Sequence, residues 1–541
     1  MRKLLALILA ALLLLCTVGC AAQSGDGSVS SSASQSVGGG IVIDSSNSAT
    51  VSWPSVSDKD SISASLCSGH KDVNGDNVCD NCSVSVLWNF DFYSVNDLHG
   101  KFKDTDSQIG VNEMTTYLKQ AKAVNPNTMV LSAGDMWQGS SESNLTRGNI
   151  ITEWMNELEF VAMTLGNHEY DWGEEPIKDN AKIANFPFLG INIYDSSTNK
   201  RVDYCKSSVF IDAGVVQIGI IGAIGDCYSS IAADMRQGVY FVTGDSLTQL
   251  VKKESQNLKA MGADFIIYML HDGYGGTNYG PTIDDSSLSG YYNVALSNGY
   301  VDLVFEGHTH KYYTKTDKYG VSHLQGGGDN LGISHADVDI NIATGEKKVN
   351  GEYISSSKYS YLSGDTIVDK LLNKYADEVG KADEILGTNA YQRNSNAIRN
   401  IVAELYYKAG VQKWGKDYKI VLGGGFLNVR SPGYLAKGDV TYGNLQMLLP
   451  FDNQLVLCSI KGTYLKSKFF ETTNTNYFIY YESYGQNIKN KIDPNATYYI
   501  IVDSYTSTYA PNKLTEIARY DTSTFARDLL AEYIKQGNLA K

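Results

Sequence analysis

Positive charge is in short supply. Lys and Arg number 45 against 59 Asp and Glu, a net of −14 over 541 residues. A chain that grips a nucleic-acid polymer by its phosphates needs a basic face, so that class is excluded, while a small anionic substrate remains open where metals or local arginines offset the field. Proline is scarce at 9 and tyrosine abundant at 37, which fits a strand-rich, ordered body. Hydrophobic residues at 43% and charged residues at 19% are ordinary for a folded globular chain, and the length suggests several domains. Past the first residues no apolar run approaches a membrane span, and the carboxyl end carries no apolar tail.

The amino-terminal run is short. Arg2 and Lys3 precede twelve apolar residues, Leu4 to Leu15, the length of a signal-peptide core. Thr17-Val18-Gly19-Cys20-Ala21 then resembles a bacterial lipobox, so residues 1–20 read as a lipoprotein signal and Cys20 as the lipidated residue. Residues 21–66 contain 16 serines and the triplet Gly38-Gly39-Gly40, a composition expected to form a soft tether. Together these predict a chain held at the cell surface, on the outer face of the cytoplasmic membrane, with an ordinary secretory signal and a periplasmic or extracellular location as the alternative.

Cysteine is sparse, eight in all. Cys67-x-x-His70 and Cys79-x-x-Cys82 form a compact cluster with metal-ligand spacing over residues 67–83. Asp72, Asn74 and Asp76 between them start like a calcium loop, but Asn77 and Ser83 stand where Gly and Glu are wanted. A small zinc knuckle is the preferred reading, with calcium or a disulfide as alternatives. Cys205, Cys227 and Cys458 fit no nucleophile pattern and read as buried or paired.

From about residue 84 five strand-like runs each end in a polar cluster: Asn96-Asp97-Leu98-His99-Gly100, Gly134-Asp135 to Gly139, Gly166-Asn167-His168-Glu169-Tyr170-Asp171, His271-Asp272-Gly273 and Gly307-His308-Thr309-His310. Ligands in layered α/β folds bind off the carboxyl ends of strands, so the clusters are expected to converge. Five of the eight histidines lie in them. Asp, Asn and His without thiolate suit a pair of divalent ions such as Zn, Mn or Fe, with one shared carboxylate between them.

The order D-x-H, G-D-x-x-x-G, G-N-H-E-x-D, H-D-G, G-H-x-H is similar to that of the calcineurin-like metallophosphoesterases. With its N-D-x-H-G and G-D-x-x-Q-G forms, it resembles the branch containing 5'-nucleotidases, UDP-sugar hydrolases and 2',3'-cyclic nucleotide phosphodiesterases. The resemblance implies a four-layer αββα sandwich at 84–345, a linker and hinge helix at 346–381, and a smaller α/β specificity domain at 382–541. It implies that Asp97, His99 and His310 hold one metal, that Asn167, His271 and His308 hold the other, and that Asp135 bridges. His168, oriented by Asp171, is expected beside the transferred phosphoryl group, and a hydroxide held between the metals is the expected nucleophile. Leu449-Pro450-Phe451-Asp452-Asn453 resembles the family's base-binding element, with Phe451 on one face of a nucleobase and Tyr505 on the other. Arg393 and Arg430 are the expected phosphate or sugar contacts, while the family's G-G-D is replaced here by Ala510-Pro511-Asn512.

The leading expectation is therefore an exported, membrane-tethered, monomeric 5'-nucleotidase. A cyclic-nucleotide phosphodiesterase, a UDP-sugar hydrolase, a thiosulfohydrolase-like relative and a silent surface-binding lipoprotein stand as alternatives.

Overall fold

Residues 265–270 show how the fold starts. Phe-Ile-Ile-Tyr-Met-Leu is apolar throughout, as expected of a strand covered on both faces. In the computed structural model Phe265, Ile267 and Met269 point into a core shared with a second sheet, while Ile266, Tyr268 and Leu270 meet the helix Gly244–Ala260. The structure describes residues 41–42, 48–53, 67, 69–104, 109–274, 294–430, 432–481, 488–509, 513–520 and 525–541. The signal segment, Cys20 and most of the expected tether lie outside them.

Two sheets stack face to face. One has six strands in the order 346–355, 332–341, 87–95, 128–132, 160–164, 188–189. The other has eight, in the order 41–42, 48–52, 208–213, 216–224, 265–271, 303–306, 322–326, 312–316. Phe90, Phe92, Met129 and Leu131 from the first interdigitate with Ile218, Ile220, Ile267 and Phe305 from the second. The outer face of the six-stranded sheet packs on helices through Met114, Leu118, Ile151 and Trp154. With Gly244–Ala260 on the other outer face, the layers run helix, sheet, sheet, helix.

Three boundaries differ from expectation. Within the supposed tether, Ser48–Ser52 is a strand paired in parallel with Ser208–Ala213, from Ser48 beside Ser208 to Ser52 beside Asp212. Alternation buries Ala49 and Val51 in the shared core, so small polar residues between them do not prevent a strand there. The hairpin Gly332–Asn341/Glu346–Ser355 pairs through ten residues a side, so the sheet continues past residue 345 to Ser355. The hinge helix expected within 346–381 breaks at Tyr375 into Ile367–Lys374 and Ala376–Val379. Ile367, Val368 and Leu371 lie in the same core as Trp154, so this helix belongs to the first half's helical layer.

A second body occupies the carboxyl-terminal part. Its five strands run in the order 477–480, 420–426, 497–503, 455–461, 515–519. The helix Ser395–Trp414, capped by the Asn394 side chain, packs on one face through Val402 and Tyr406. Val421, Val456 and Ile500 fill the other face. Buried core residues of the sandwich fall between 49 and 371, and those of the second body between 386 and 539. All described residues belong to the unit Gly39–Lys541. Among them no helix is long and apolar enough to cross a membrane.

Candidate metal centre and substrate cavity

Each ligand candidate sits just past the carboxyl end of a strand. Asp97 and His99 follow Leu87–Val95, Asp135 follows Thr128–Ser132, Asn167 and His168 follow Phe160–Thr164, His271 ends Phe265–His271, and His308 and His310 follow Leu303–Glu306. Parallel pairing places these ends at one edge of the stacked sheets. The turns there are tight. Asp97, His99, Asp135, His308 and His310 all adopt positive φ, between 49° and 67°. Such conformations are uncommon outside glycine and persist where the surroundings hold them. Gly134, at φ +90°, must stay small, because a Cβ there would lie 2.7 Å from His271 Nδ1.

The seven residues come together. Asp97, His99 and His310 form one donor group, and Asp97, Asp135 and His271 another, with each group's donor atoms within 4.8 Å. Asn167 Oδ1 lies 3.2 Å from His271 Nε2, and Asp135 Oδ2 lies 3.2 Å from the same nitrogen. The His308 ring centroid is 5.3 Å from that of His271.

Hydrogen bonding indicates what the cluster is built to hold. His99 Nδ1 faces Gln138 O at 2.9 Å and His271 Nδ1 faces Ala133 O at 2.7 Å. A carbonyl only accepts, so both Nδ1 atoms carry the proton and both Nε2 atoms present lone pairs in the neutral rings. His99 Nε2 then meets His310 Nε2 at 2.9 Å, and His271 Nε2 meets carboxylate and amide oxygens. His271 Nε2 thus faces oxygen lone pairs, and the two Nε2 atoms of His99 and His310 need a proton or a cation between them; a metal satisfies both, so the residues present fit divalent metals. In the protein alone a proton must serve: burial opposes it, but Asp135 and Asp97 raise the His271 pKa to about 10. Burial, reinforced by the neighbouring Asp135 charge, pushes the Asp97 carboxyl up to about 7. For Asp135 burial also pushes upward, but the charges of His271 and His168 outweigh it and hold the carboxyl well below its ordinary range.

His168 is set apart by its partner. Its Nδ1 lies 2.6 Å from Asp171 Oδ2, and its backbone N donates to Asp135 Oδ1 at 2.8 Å. Burial disfavours the charged ring, but Asp171 and Asp135 outweigh that and raise its pKa.

A cavity of about 320 Å³ opens off this cluster. Asp135, Asn167, His168, His308 and His310 line one side, and Phe426, Arg430, Phe451 and Tyr505 of the second body line the other. The Phe451 ring lies over His168 at 6.2 Å between centroids. Tyr505 packs on Phe426 at 5.6 Å, so the second aromatic wall is a pair of rings. Arg393 does not line this cavity. It is buried within the second body, bonded to Asn389 and lying 4.1 Å over the Tyr391 ring.

Several contributors carried no assigned role at the sequence level. The buried Glu169 carboxylate accepts from the backbone N–H groups of Asp135, Met136 and Gly166, at 2.7 to 2.9 Å, and so ties two of the ligand turns together. Only its place in G-N-H-E-x-D pointed to it. Asp452, which also lines the cavity, bonds Arg147 of the sandwich at 2.7 Å and the buried Arg527, and so links the two bodies. No local signal marks that triad. Cys227 is buried with its sulfur among the His271 and His308 donors. Cys205, Cys227 and Cys458 are buried and unpaired.

This architecture and donor set define a metal-dependent phosphoester hydrolase, and residues 90–312 match the calcineurin-like phosphoesterase family. Over a longer stretch, the chain is 25% identical over 415 residues to an apyrase of Tabanus yao, covering 69% of this chain and 72% of that protein. It is 25% identical over 431 residues to the 5'-nucleotidase of Homo sapiens, covering 71% of each. The crystal structure of a 5'-nucleotidase precursor from Thermus thermophilus superposes with a TM-score of 0.62 and 19% identity, covering 83% of this chain and 96% of the other. That likeness extends the two-body fold over the second body as well.

Proposed function

We propose that the chain is an exported, membrane-tethered hydrolase that cleaves phosphate monoesters of nucleotides with the help of two divalent ions. The observation that carries this reading is the shared cavity, where a histidine–carboxylate cluster faces a wall of aromatic rings and one arginine. Asp97, His99 and His310 would hold one ion, Asn167, His271 and His308 the other, and Asp135 would serve both. Zn, Mn or Fe suits these donors, and when bound such ions supply neutralisation of phosphoryl charge and activation of water. His168, its tautomer fixed by Asp171, delivers a proton or hydrogen bond to the phosphoryl region through its other nitrogen. Arg430 meets phosphate or sugar, and Phe451 with the Phe426–Tyr505 pair receives the base. The relatives named 5'-nucleotidase and apyrase support a nucleotide as substrate. Tethering in this reading rests on Cys20.

The test is phosphate release from AMP, 2',3'-cyclic AMP, UDP-glucose and glucose 6-phosphate, after chelation and again with Mn or Zn restored. AMP should lead, and only with metal present. Equal release from glucose 6-phosphate overturns the nucleotide reading. An unmodified Cys20 in mass spectra of the mature membrane-extracted protein overturns the lipid anchor.

A further inference from the structure

A second cluster of metal-binding side chains lies outside the catalytic cavity. Cys67, His70, Cys79 and Cys82 bring three sulfurs and one ring nitrogen within 4.8 Å of one another. Cys67 Sγ is 3.8 Å from Cys79 Sγ, and Cys82 Sγ is 3.6 Å from His70 Nδ1. A disulfide would need about 2.05 Å between sulfurs. A tetrahedral zinc with bonds of about 2.3 Å to sulfur and about 2.0 Å to imidazole sets its ligand atoms about 3.5–3.8 Å apart. Both measured separations match the edges of that tetrahedron.

The surrounding backbone fixes the arrangement. Cys79 Sγ accepts from Lys71 N at 3.4 Å, Asp80 N donates to Lys71 O at 2.8 Å, and Asn81 Nδ2 donates to Gly69 O at 2.8 Å. The two ligand pairs are thus held together by the chain itself. The intervening acidic loop is committed elsewhere. Asp72 accepts from Gly75, Asp76 and Asn77 N–H groups, and Asp76 accepts from Val78 N. Three soft sulfurs are the wrong donors for calcium and the right ones for zinc.

Position separates this cluster from catalysis. It precedes the start of the nine-residue strand Leu87–Val95, whose far end leads to Asp97. At about 3.3 Å per residue, that strand is roughly 30 Å long. We propose that Cys67, His70, Cys79 and Cys82 bind one structural zinc ion, closing residues 67–82 into a knuckle at the end of the sandwich away from the catalytic cavity.

The test uses the full chain after chelation sufficient to strip the catalytic site. Elemental analysis should find one retained zinc per chain. Replacement by cobalt should give an intense near-ultraviolet thiolate-to-cobalt band, which the nitrogen and oxygen ligands of the catalytic site cannot produce. The band and the retained metal should vanish in Cys79→Ser and Cys82→Ser and persist in Cys227→Ser. Retention of metal and band in Cys79→Ser and Cys82→Ser, or their loss only in Cys227→Ser, overturns the proposal. Should the serine variants not fold, the wild-type chain decides: one zinc should leave as three thiols react with a mercurial. A disulfide among Cys67, Cys79 and Cys82 in peptides mapped without reduction overturns it.

Discussion

Replacing His168 by alanine probes the proposed chemistry most directly. The ring lies on the cavity wall, with Nδ1 held at 2.6 Å by Asp171. Truncation removes the ring but keeps the backbone N–H that donates to Asp135 Oδ1 at 2.8 Å, so the turn that positions Asp135 should survive. Glu169 continues to tie that turn to Gly166. Metal content should therefore stay at the wild-type level while turnover falls. A positioned proton donor contributes about 10²- to 10⁴-fold. At 1.36 kcal/mol per decade that corresponds to about 2.7–5.4 kcal/mol of barrier. The assay is kcat and KM for AMP alongside elemental analysis of the same samples. Asp171→Asn keeps the shape of the partner, removes its charge, and should give a smaller loss in kcat than His168→Ala. A metal-loaded His168→Ala protein turning over at the wild-type rate would refute the reasoning. Loss of metal together with the ring would instead make His168 a ligand, since its donor atom lies within 4.8 Å of those of His99 and Asp135.

Phe451→Ala should lower kcat/KM for AMP by roughly 5- to 150-fold, the equivalent of about 1–3 kcal/mol of base stacking, and leave glycerol phosphate nearly unchanged. Equal losses on both substrates would remove the base from that ring. Asp452→Ala removes the counter-ion of the buried Arg527, leaving it neutral partners such as the Pro450 and Phe451 carbonyls, and releases Arg147, which should cost about 3–5 kcal/mol in denaturant unfolding. A midpoint unchanged from wild type would contradict a stabilising triad. His335 lies 2.7 Å from Asp91 and 2.9 Å from Glu352, and although burial disfavours its charge, these carboxylates raise its pKa. The sign follows: its stabilisation is complete below the unfolded pKa of about 6.5 and fades as pH rises through the higher folded value. The stability gap between wild type and His335→Gln should thus narrow as pH rises above neutrality, and a gap that widens there would reverse the assignment.

Short-range patterns carried the catalytic half. Alternation and apolar runs such as Phe265–Leu270 mark strands, and a Gly-bounded polar cluster after each marks a turn at the strand's carboxyl end. Since parallel strands share one end, five such clusters had to approach one another, and the structure brings Asp97, His99, Asp135, Asn167, His271, His308 and His310 together. The Cys67–Cys82 spacing was legible for the same reason, because its ligands are neighbours in the chain.

What depended on distant pairing was not legible. Ser48–Ser52 reads as tether until Ser208–Ala213 supplies a partner edge. Arg393 has the same charge wherever it lies, and only the fold sets it against Asn389 and Tyr391, outside the cavity lining. Asp452 and Arg527 are 75 residues apart within the second body, and Arg147 joins them from the sandwich only when the two bodies pack. The sequence by itself determined which donors the protein possesses and the strand ends that present them, because periodicity and turn chemistry act over a few residues. The tertiary structure alone decided which side chains share the cavity with them, because a contact between remote segments is set by how whole sheets and helices bury their faces.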